Sequence, residues 1–245
     1  VSKEVSMTRN SQFKLTIFLI LIITFTLPSE IRASFPSRPE QEPGNPIDRQ
    51  LLLNGRIWRN KHLKVSGDQF FFSNTFLPGS VAFNGRIYSD LDLLYDLADD
   101  ELILRHGSYP VIIMNKEMVD SFTLSVSGRE YFFINTGING TTLPAGYINV
   151  LYNGPTSVYV KYVKKVKPLA VDGRTDLFYQ EHKIFIRKGT SFFEVKGRKD
   201  LLNFLGLKKA ELRDLIHSRG YSNGMPGRKD PDLYAAIAVY YDSLH

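Results

Sequence analysis

From about residue 50 to 196, apolar and polar positions alternate with a period of two, in short runs rich in β-branched and aromatic residues. "SVAF", "ELIL", "PVIIM", "SFTLSV", "EYFFI", "YINVLY", "SVYVKYV", "KIFIRK" and "SFFEV" are of this type, and "QFFFS" is read with them. Turn dipeptides separate the runs: Asn54-Gly55, Ser66-Gly67, Asn84-Gly85, Ser127-Gly128, Asn139-Gly140, Asn153-Gly154, Asp172-Gly173 and Lys188-Gly189. Such pairs tolerate the positive φ of two-residue hairpin turns, whose twist matches that of the flanking strands. A repeat of about ten residues predicts an up-and-down antiparallel sheet, either barrel-like or sandwich-like. Adjacent rings in "QFFFS", "EYFFIN" and "SFFEV" place aromatics on both faces, which predicts burial on both sides. The shared Asn-Gly-Arg-Ile-aromatic of "LLLNGRIW" and "VAFNGRIY" is read as two hairpins solving the same turn problem.

The pattern changes after residue 196. Spacing becomes helical, and Leu212, Leu215 and Ile216 form a stripe that stops at Gly220. After the loop "SNGMPGRKD", Asp230 is an N-cap with Pro231 in the first helical position. Leu233, Ile237, Tyr240, Tyr241 and Leu244 then fall on one face. The C-terminal part, 197–245, is therefore expected to be a helical appendage of two or three helices packed on the sheet or its open edge, where it would block edge-to-edge pairing.

The N-terminus follows neither pattern. "LTIFLILIITFTL", residues 15–27, is uncharged and flanked by Arg9 and Lys14. Thirteen residues fall short of the roughly twenty a helix needs to cross a bilayer, and match a signal-peptide core. Cleavage after Ala33 is expected, with an uncleaved anchor as the alternative. Met7 is read as the start, with residues 1–6 as an upstream extension. Residues 34–49, with four prolines, read as an extended linker.

The twelve-residue stretch "DLDLLYDLADDE" concentrates six acids: Asp90, Asp92, Asp96, Asp99, Asp100 and Glu101. Two strands joined at Asp99-Asp100 would pair Ala98 with Glu101 and Leu97 with Leu102. Leu91, Leu93, Tyr95, Leu97, Leu102 and Leu104 would then share the core face. Asp92, Leu94, Asp96, Glu101, Ile103 and Arg105 would share the face toward water, with Arg105 partnering a carboxylate. A calcium site needs six to eight converging oxygens, and the D-x-[DN]-x-[DN]-G loop is missing. A glycosidase needs two carboxyls at a set separation with one pKa raised. The expectation is a hydrated hairpin face.

Composition narrows the remaining chemistry. There is no cysteine, which removes disulfides, thiolate metal sites and thiol nucleophiles. An exported chain without cysteine fits a bacterial envelope or secreted protein. The formal charge of +6 is uneven: residues 34–157 carry a net of −3 and residues 158–245 a net of +7. The basic part would suit an anionic surface, although a solvated exterior is the simpler reading. His62, His106, His182, His217 and His245 show no metal-binding spacing. Ser108 and Ser191 lack the G-x-S-x-G elbow, and phosphate-cradling glycine loops are missing. "VYVKYVKKVK" interleaves rings and cations, but one alternating strand with a basic face explains it without nucleic acid.

"FLPGSVAFNGRIYSDLDLLYDLADDELIL", "GYINVLYNG", "IFIRKGTSFFEVKGRKDLLNFL" and the terminal "YYDSL" resemble uncharacterised exported proteins of Bacteroidota. In that group a G-x-V-x-F segment and a strand ending in Tyr-Asp precede Asp-Glu-Leu, and Lys-rich helices follow. The resemblance covers residues 50–245. It implies export and a β framework, and brings no activity, cofactor or catalytic residue.

The expectation is thus a mainly β fold: a signal peptide over 1–33, a linker over 34–49, an antiparallel β domain over 50–196 and a helical appendage over 197–245. Its expected role is that of an exported, non-catalytic envelope or secreted module that binds a partner or builds surface structure. No catalytic, cofactor-binding or metal residues and no cofactor are expected. The partner would be an envelope protein, a glycan or a lipid, with no nucleic acid and no membrane span after signal cleavage. Two alternatives remain open: a carrier of an apolar or lipid ligand in an aromatic-lined half-barrel, and a glycan-directed hydrolase using the 90–101 carboxylates.

Overall fold

Twelve strands follow from the alternating runs in a computed structural model that describes residues 50–137, 143–168, 175–208, 210 and 230–244. They are β1 (Arg56–Ile57), β2 (Val65–Ser66), β3 (Leu77–Phe83), β4 (Arg86–Asp96), β5 (Glu101–Arg105), β6 (Ile112–Ile113), β7 (Val119–Val126), β8 (Arg129–Asn135), β9 (Tyr147–Tyr152), β10 (Thr156–Lys167), β11 (Asp176–Lys188) and β12 (Ser191–Val195). A 3-10 turn, Lys116–Met118, precedes β7; helices α1 (Arg198–Leu205) and α2 (Pro231–Ser243) follow β12. The expected signal segment, linker, 207–219 helix and "SNGMPGRKD" loop lie outside the described residues, apart from isolated positions at their ends.

The sheet is a large open antiparallel one, ordered β1-β6-β5-β4-β3-β7-β8-β9-β10-β11-β12, as the hairpin series predicts. One departure is topological. The block β3 to β6 runs backward through the order, so the chain returns from β6 to lay β7 beside β3. Among the described residues the one parallel pairing joins β2 to the start of β11. Two hairpin turns behave as their residues demand: Asn84-Gly85 and Ser127-Gly128 have positive φ at both positions. Asn54-Gly55 does not. It follows a helical turn and leads into β1, which pairs with β6 rather than with a hairpin partner. Gly55 is small because a Cβ there would collide with the Ile113 carbonyl, so the repeated motif serves two different purposes.

The sheet curls. β4 and β8 are three strands apart, about 14 Å on a flat sheet. Yet the rings of Tyr95 and Phe133 are 5.2 Å apart between centroids. Side chains of β3 to β9 meet in one buried cluster that includes Val81, Phe83, Leu93, Phe122, Leu124, Phe133 and Tyr147, with Tyr162 of β10 packed against it. Edge-to-face contacts among Tyr95, Phe122, Phe133 and Tyr147 fill the hollow, each worth about 0.5–1.5 kcal/mol beyond area burial. "QFFFS" does not form the expected strand. It makes a single bridge, Phe70 to Asp96, and distributes its rings: Phe70 into a smaller buried cluster on the other face, Phe71 into the main core, Phe72 toward solvent. Its backbone ties to β4, Phe71 N donating to Tyr95 O at 2.8 Å and Leu97 N to Gln69 O at 2.9 Å.

The same face continues beneath α2, where Tyr152, Val158, Ile184, Ile186 and Val195 pack with Leu233, Tyr234, Ile237, Ala238 and Tyr241. Asp230 caps the helix through Asp232 N, with Pro231 inside the first turn, as expected. The buried stripe differs from the expected one: Tyr234 and Ala238 join it, while Leu244 is exposed, because the contact is with a sheet broad enough to cover more than one helical ridge. Asp242 anchors the far end, accepting from Tyr152 Oη at 2.8 Å and Thr156 N at 3.0 Å. Burial and that bond push the Tyr152 hydroxyl up to about 12. Rings on opposite faces do serve separate clusters: Phe192 packs with Tyr159 and Phe185, while Phe193 stacks on Phe204 of α1.

Truncation after Gly206 removes α2 and uncovers Tyr152, Val158, Ile184 and Ile186. Greater binding of an apolar dye and lower solubility are expected; a truncate as stable and soluble as the full chain would contradict the packed-helix account.

Candidate functional site

The acidic stretch forms the end of β4, the turn 97–100 and the start of β5. The pairing is Asp96 to Glu101 and Tyr95 to Leu102, two residues removed from the expected register. A shift of two preserves side-chain parity. Leu91, Leu93, Tyr95, Leu97, Leu102 and Leu104 therefore all reach the core as expected.

The opposite face is not the hydrated one expected. Leu94 and Ile103 are buried against Phe70 and Ile113, with Trp58, Phe76 and Val111 packed around them. Segments on either side of the hairpin in sequence fold over it. Water remains only at the margins, where Arg105 bonds Asp92 at 3.1 Å, the one ion pair expected on this face. Asp90 is the extra residue of a β-bulge opposite Ser80 and holds a positive φ.

Asp96 is fully buried. One oxygen accepts from the Ala98 and Asp99 amides at 2.9 and 3.1 Å, the other from Gln69 Nε2 at 2.9 Å. It builds the turn from within, which is why the hairpin opens two residues earlier than strand pairing alone suggests. Burial holds its carboxyl above the ordinary range, against the pull of these bonds.

Asp100 is the most connected acid of this stretch. Its carboxylate accepts from Tyr95 Oη at 2.6 Å, Lys116 Nζ at 2.6 Å and Lys161 Nζ at 3.0 Å. The Lys116 ammonium also donates to the Asp100 carbonyl at 2.9 Å, and the Lys161 ammonium to the Tyr147 carbonyl at 2.9 Å. Groups from β4, β10, the 3-10 turn and the start of β9 thus converge on one carboxylate. Gly146 is required beside it: φ is +102°, and a Cβ there would collide with Asp100 Oδ2. Burial brings the Lys161 ammonium below the usual lysine range, with Asp100 pulling the other way. Burial and Asp100 together drive the Tyr95 hydroxyl well upward.

Beside this junction a cleft of about 460 Å³ opens, lined by Asn54, Arg56, Asp99, Asp100, Glu101, Asn115, Lys116 and Glu117 over a floor of Ile113 and Met114. Glu101 is paired with Arg56 at 2.7 Å and Asp99 with Lys61 at 2.9 Å. The walls offer donors and acceptors in near balance, suited to a polar ligand. Among the described residues no three His, Cys, Asp or Glu side chains stand close enough to hold a metal.

The other candidates are dispersed. His62 lies 3.9 Å from Asp99 and packs edge-on to Phe178; its Nε2 makes no hydrogen bond. His106 stacks on Tyr109 in the turn that also carries Ser108, and Ser191 begins β12. His182 tilts against Tyr162, whereas His217 and His245 lie outside the described residues. Sequence reasoning missed Lys116 and Lys161. "VYVKYVKKVK" displays Lys161 as one of several strand lysines, and only tertiary structure marks it as buried. Compared with protein-family models, curated proteins and solved structures, the chain matches none.

Asp100→Asn should destabilise by about 3 kcal/mol or more, since it leaves a buried ammonium without its counter-charge. Asp96→Asn should behave oppositely. At pH 7 it removes a buried charge while keeping an acceptor for the turn amides, and Gln69 can reverse its amide to match. Stability should hold or rise. A raised native pKa means the native state binds more protons than the unfolded one above pH 3.8, so wild-type stability from this group is lost as pH rises. The advantage of Asp96→Asn should therefore shrink toward pH 4 in urea melts; a constant difference would contradict the buried, pKa-raised carboxyl.

Proposed function

We propose that the protein is a non-catalytic, β-rich module, exported to the bacterial envelope or beyond, that binds a partner or builds surface structure. One observation carries this reading: the acids nearest a chemical site are committed to fixed structural partners. Asp100 is held by two ammoniums and a phenol, Glu101 by Arg56, Asp99 by Lys61. An acid/base pair needs one carboxyl that keeps its proton near neutral pH and a second that is ionised within reach. All three already have a cationic side chain of this chain within hydrogen-bond reach. Asp96, the acid whose carboxyl is raised, is enclosed by Gln69 and turn amides and does not line the cleft.

The concave face supports the same preference over a carrier. Phe71, Tyr95, Phe122, Phe133 and Tyr147 occupy the hollow where an apolar ligand would sit. Export is supported by the apolar, Arg- and Lys-flanked segment 15–27 and by the cysteine-free composition. No described helix is long and apolar enough to cross a membrane.

The purified chain, incubated with peptidoglycan, chitin and a panel of chromogenic glycosides, should release no more product than Asp100→Asn or Glu101→Gln variants. Turnover by the wild type that falls at least a hundredfold in Glu101→Gln would overturn the non-catalytic reading.

A further inference from the structure

Five non-glycine residues hold positive φ among the described residues: Phe72, Asn84, Asp90, Asp100 and Ser127. Four have a local reason. Asn84 and Ser127 sit in hairpin turns, Asp90 forms the bulge and Asp100 closes the acidic turn. All four are small or polar, the types that tolerate this conformation. Phe72, at φ +69°, is a bulky residue in a left-handed conformation, an outlier that persists only where the surroundings impose it. The strain does not serve burial, because the residue is 53% exposed.

It sets a ring beside a polar fork. Phe72 meets Phe71 edge-on at 4.7 Å and Tyr131 at 5.2 Å between centroids. The Arg129 guanidinium stands 4.8 Å over the Tyr131 ring. Phe72 and Arg129 are thus separated by no more than the sum of those last two distances, about 10 Å. Arg129 is bonded to Asp232 in bidentate fashion, at 2.9 and 2.6 Å, and both side chains are about half exposed. β8, α2 and the strained segment together present an exposed aromatic face next to a fixed donor–acceptor pair.

We propose that Phe72, Tyr131, Arg129 and Asp232 form a carbohydrate-stacking site. The ligand class follows from the chemistry. The ion pair is neutral as a unit, and a charged ligand would have to compete for one of its members. A neutral sugar need not: its hydroxyls donate to the free lone pairs of Asp232 and accept from the remaining guanidinium N–H groups. The C–H face of a pyranose is apolar and weakly positive, matched to the negative face of an aromatic ring. A few placed polar groups beside rings are the usual make-up of small-ligand sites. The site rests on the binding-module reading and names the partner class as glycan.

The test is co-sedimentation of the full chain with peptidoglycan, chitin and cellulose, together with binding to a printed array of neutral oligosaccharides. The wild type should bind at least one glycan, and Phe72→Asn and Asp232→Asn should each weaken binding tenfold or more. Asn tolerates the left-handed conformation, so Phe72→Asn should leave the melting temperature within about 2 °C of the wild type or raise it. No glycan bound, or Phe72→Asn binding as the wild type does, would overturn the proposal. So would a large fall in melting temperature for Phe72→Asn, which would make the ring a packing element. Peptidoglycan binding lost when its peptide stems are removed would assign a peptide ligand and also overturn it. Release of reducing ends from a bound glycan would instead sink the non-catalytic reading and leave the stacking site intact.

Discussion

The curl of the sheet depends on Asp100. A twelve-stranded sheet twists of itself, but strand order alone does not set the β4–β5 turn against β9 and β10, four and five places from β4. One carboxylate does so by receiving a phenol from β4, an ammonium from β10 and another from the 3-10 turn. The Lys164 amide donates to Leu97 O at 3.3 Å close by, and the Lys164 ammonium reaches Asp68 at 2.7 Å. With the turn held there, the rings of Tyr95, Phe122, Phe133 and Tyr147 close on one another and exclude water from the hollow.

This arrangement has a physical logic. Buried ions are expensive unless paired and hydrogen-bonded, and Asp100 pairs with the buried Lys161 as well as with the partly exposed Lys116. Its charge is used to fix geometry. The cleft beside it is walled by ion-paired side chains, and the ring cluster also borders Phe72 and the Arg129–Asp232 fork. The two surfaces differ in kind: one is a polar recess without rings, the other a ring with a polar fork.

Much of the fold was legible in the sequence, and the reasons are local. Asn84-Gly85 and Ser127-Gly128 specify their turns, Asp230-Pro231 specifies a helix start, and alternation specifies which residues of β4 and β5 face inward. The rest required distant partners. The Asp96 face is covered by Trp58, Phe70 and Phe76, whose approach no local pattern announces. Asp96 shifts the hairpin register by bonding turn amides with one oxygen, while the other is held by Gln69, a partner from outside the hairpin. Phe70, Phe71 and Phe72 have strong strand propensity yet form a single bridge, because each ring is claimed by a different environment. The acidic stretch is conspicuous in the sequence, but its contacts turn on Lys116 and Lys161, which lie 16 and 61 residues beyond Asp100.

A double-mutant cycle between Asp100→Asn and Lys161→Met tests the central claim most directly. Methionine keeps the buried stem and removes the charge. If Asp100 pins the curled sheet through that ammonium, the two substitutions should couple by at least about 1.5 kcal/mol in urea unfolding, the double variant recovering part of what Asp100→Asn loses. Additive losses, with a coupling below about 0.5 kcal/mol, would show that the two groups act independently and that something else holds the curl.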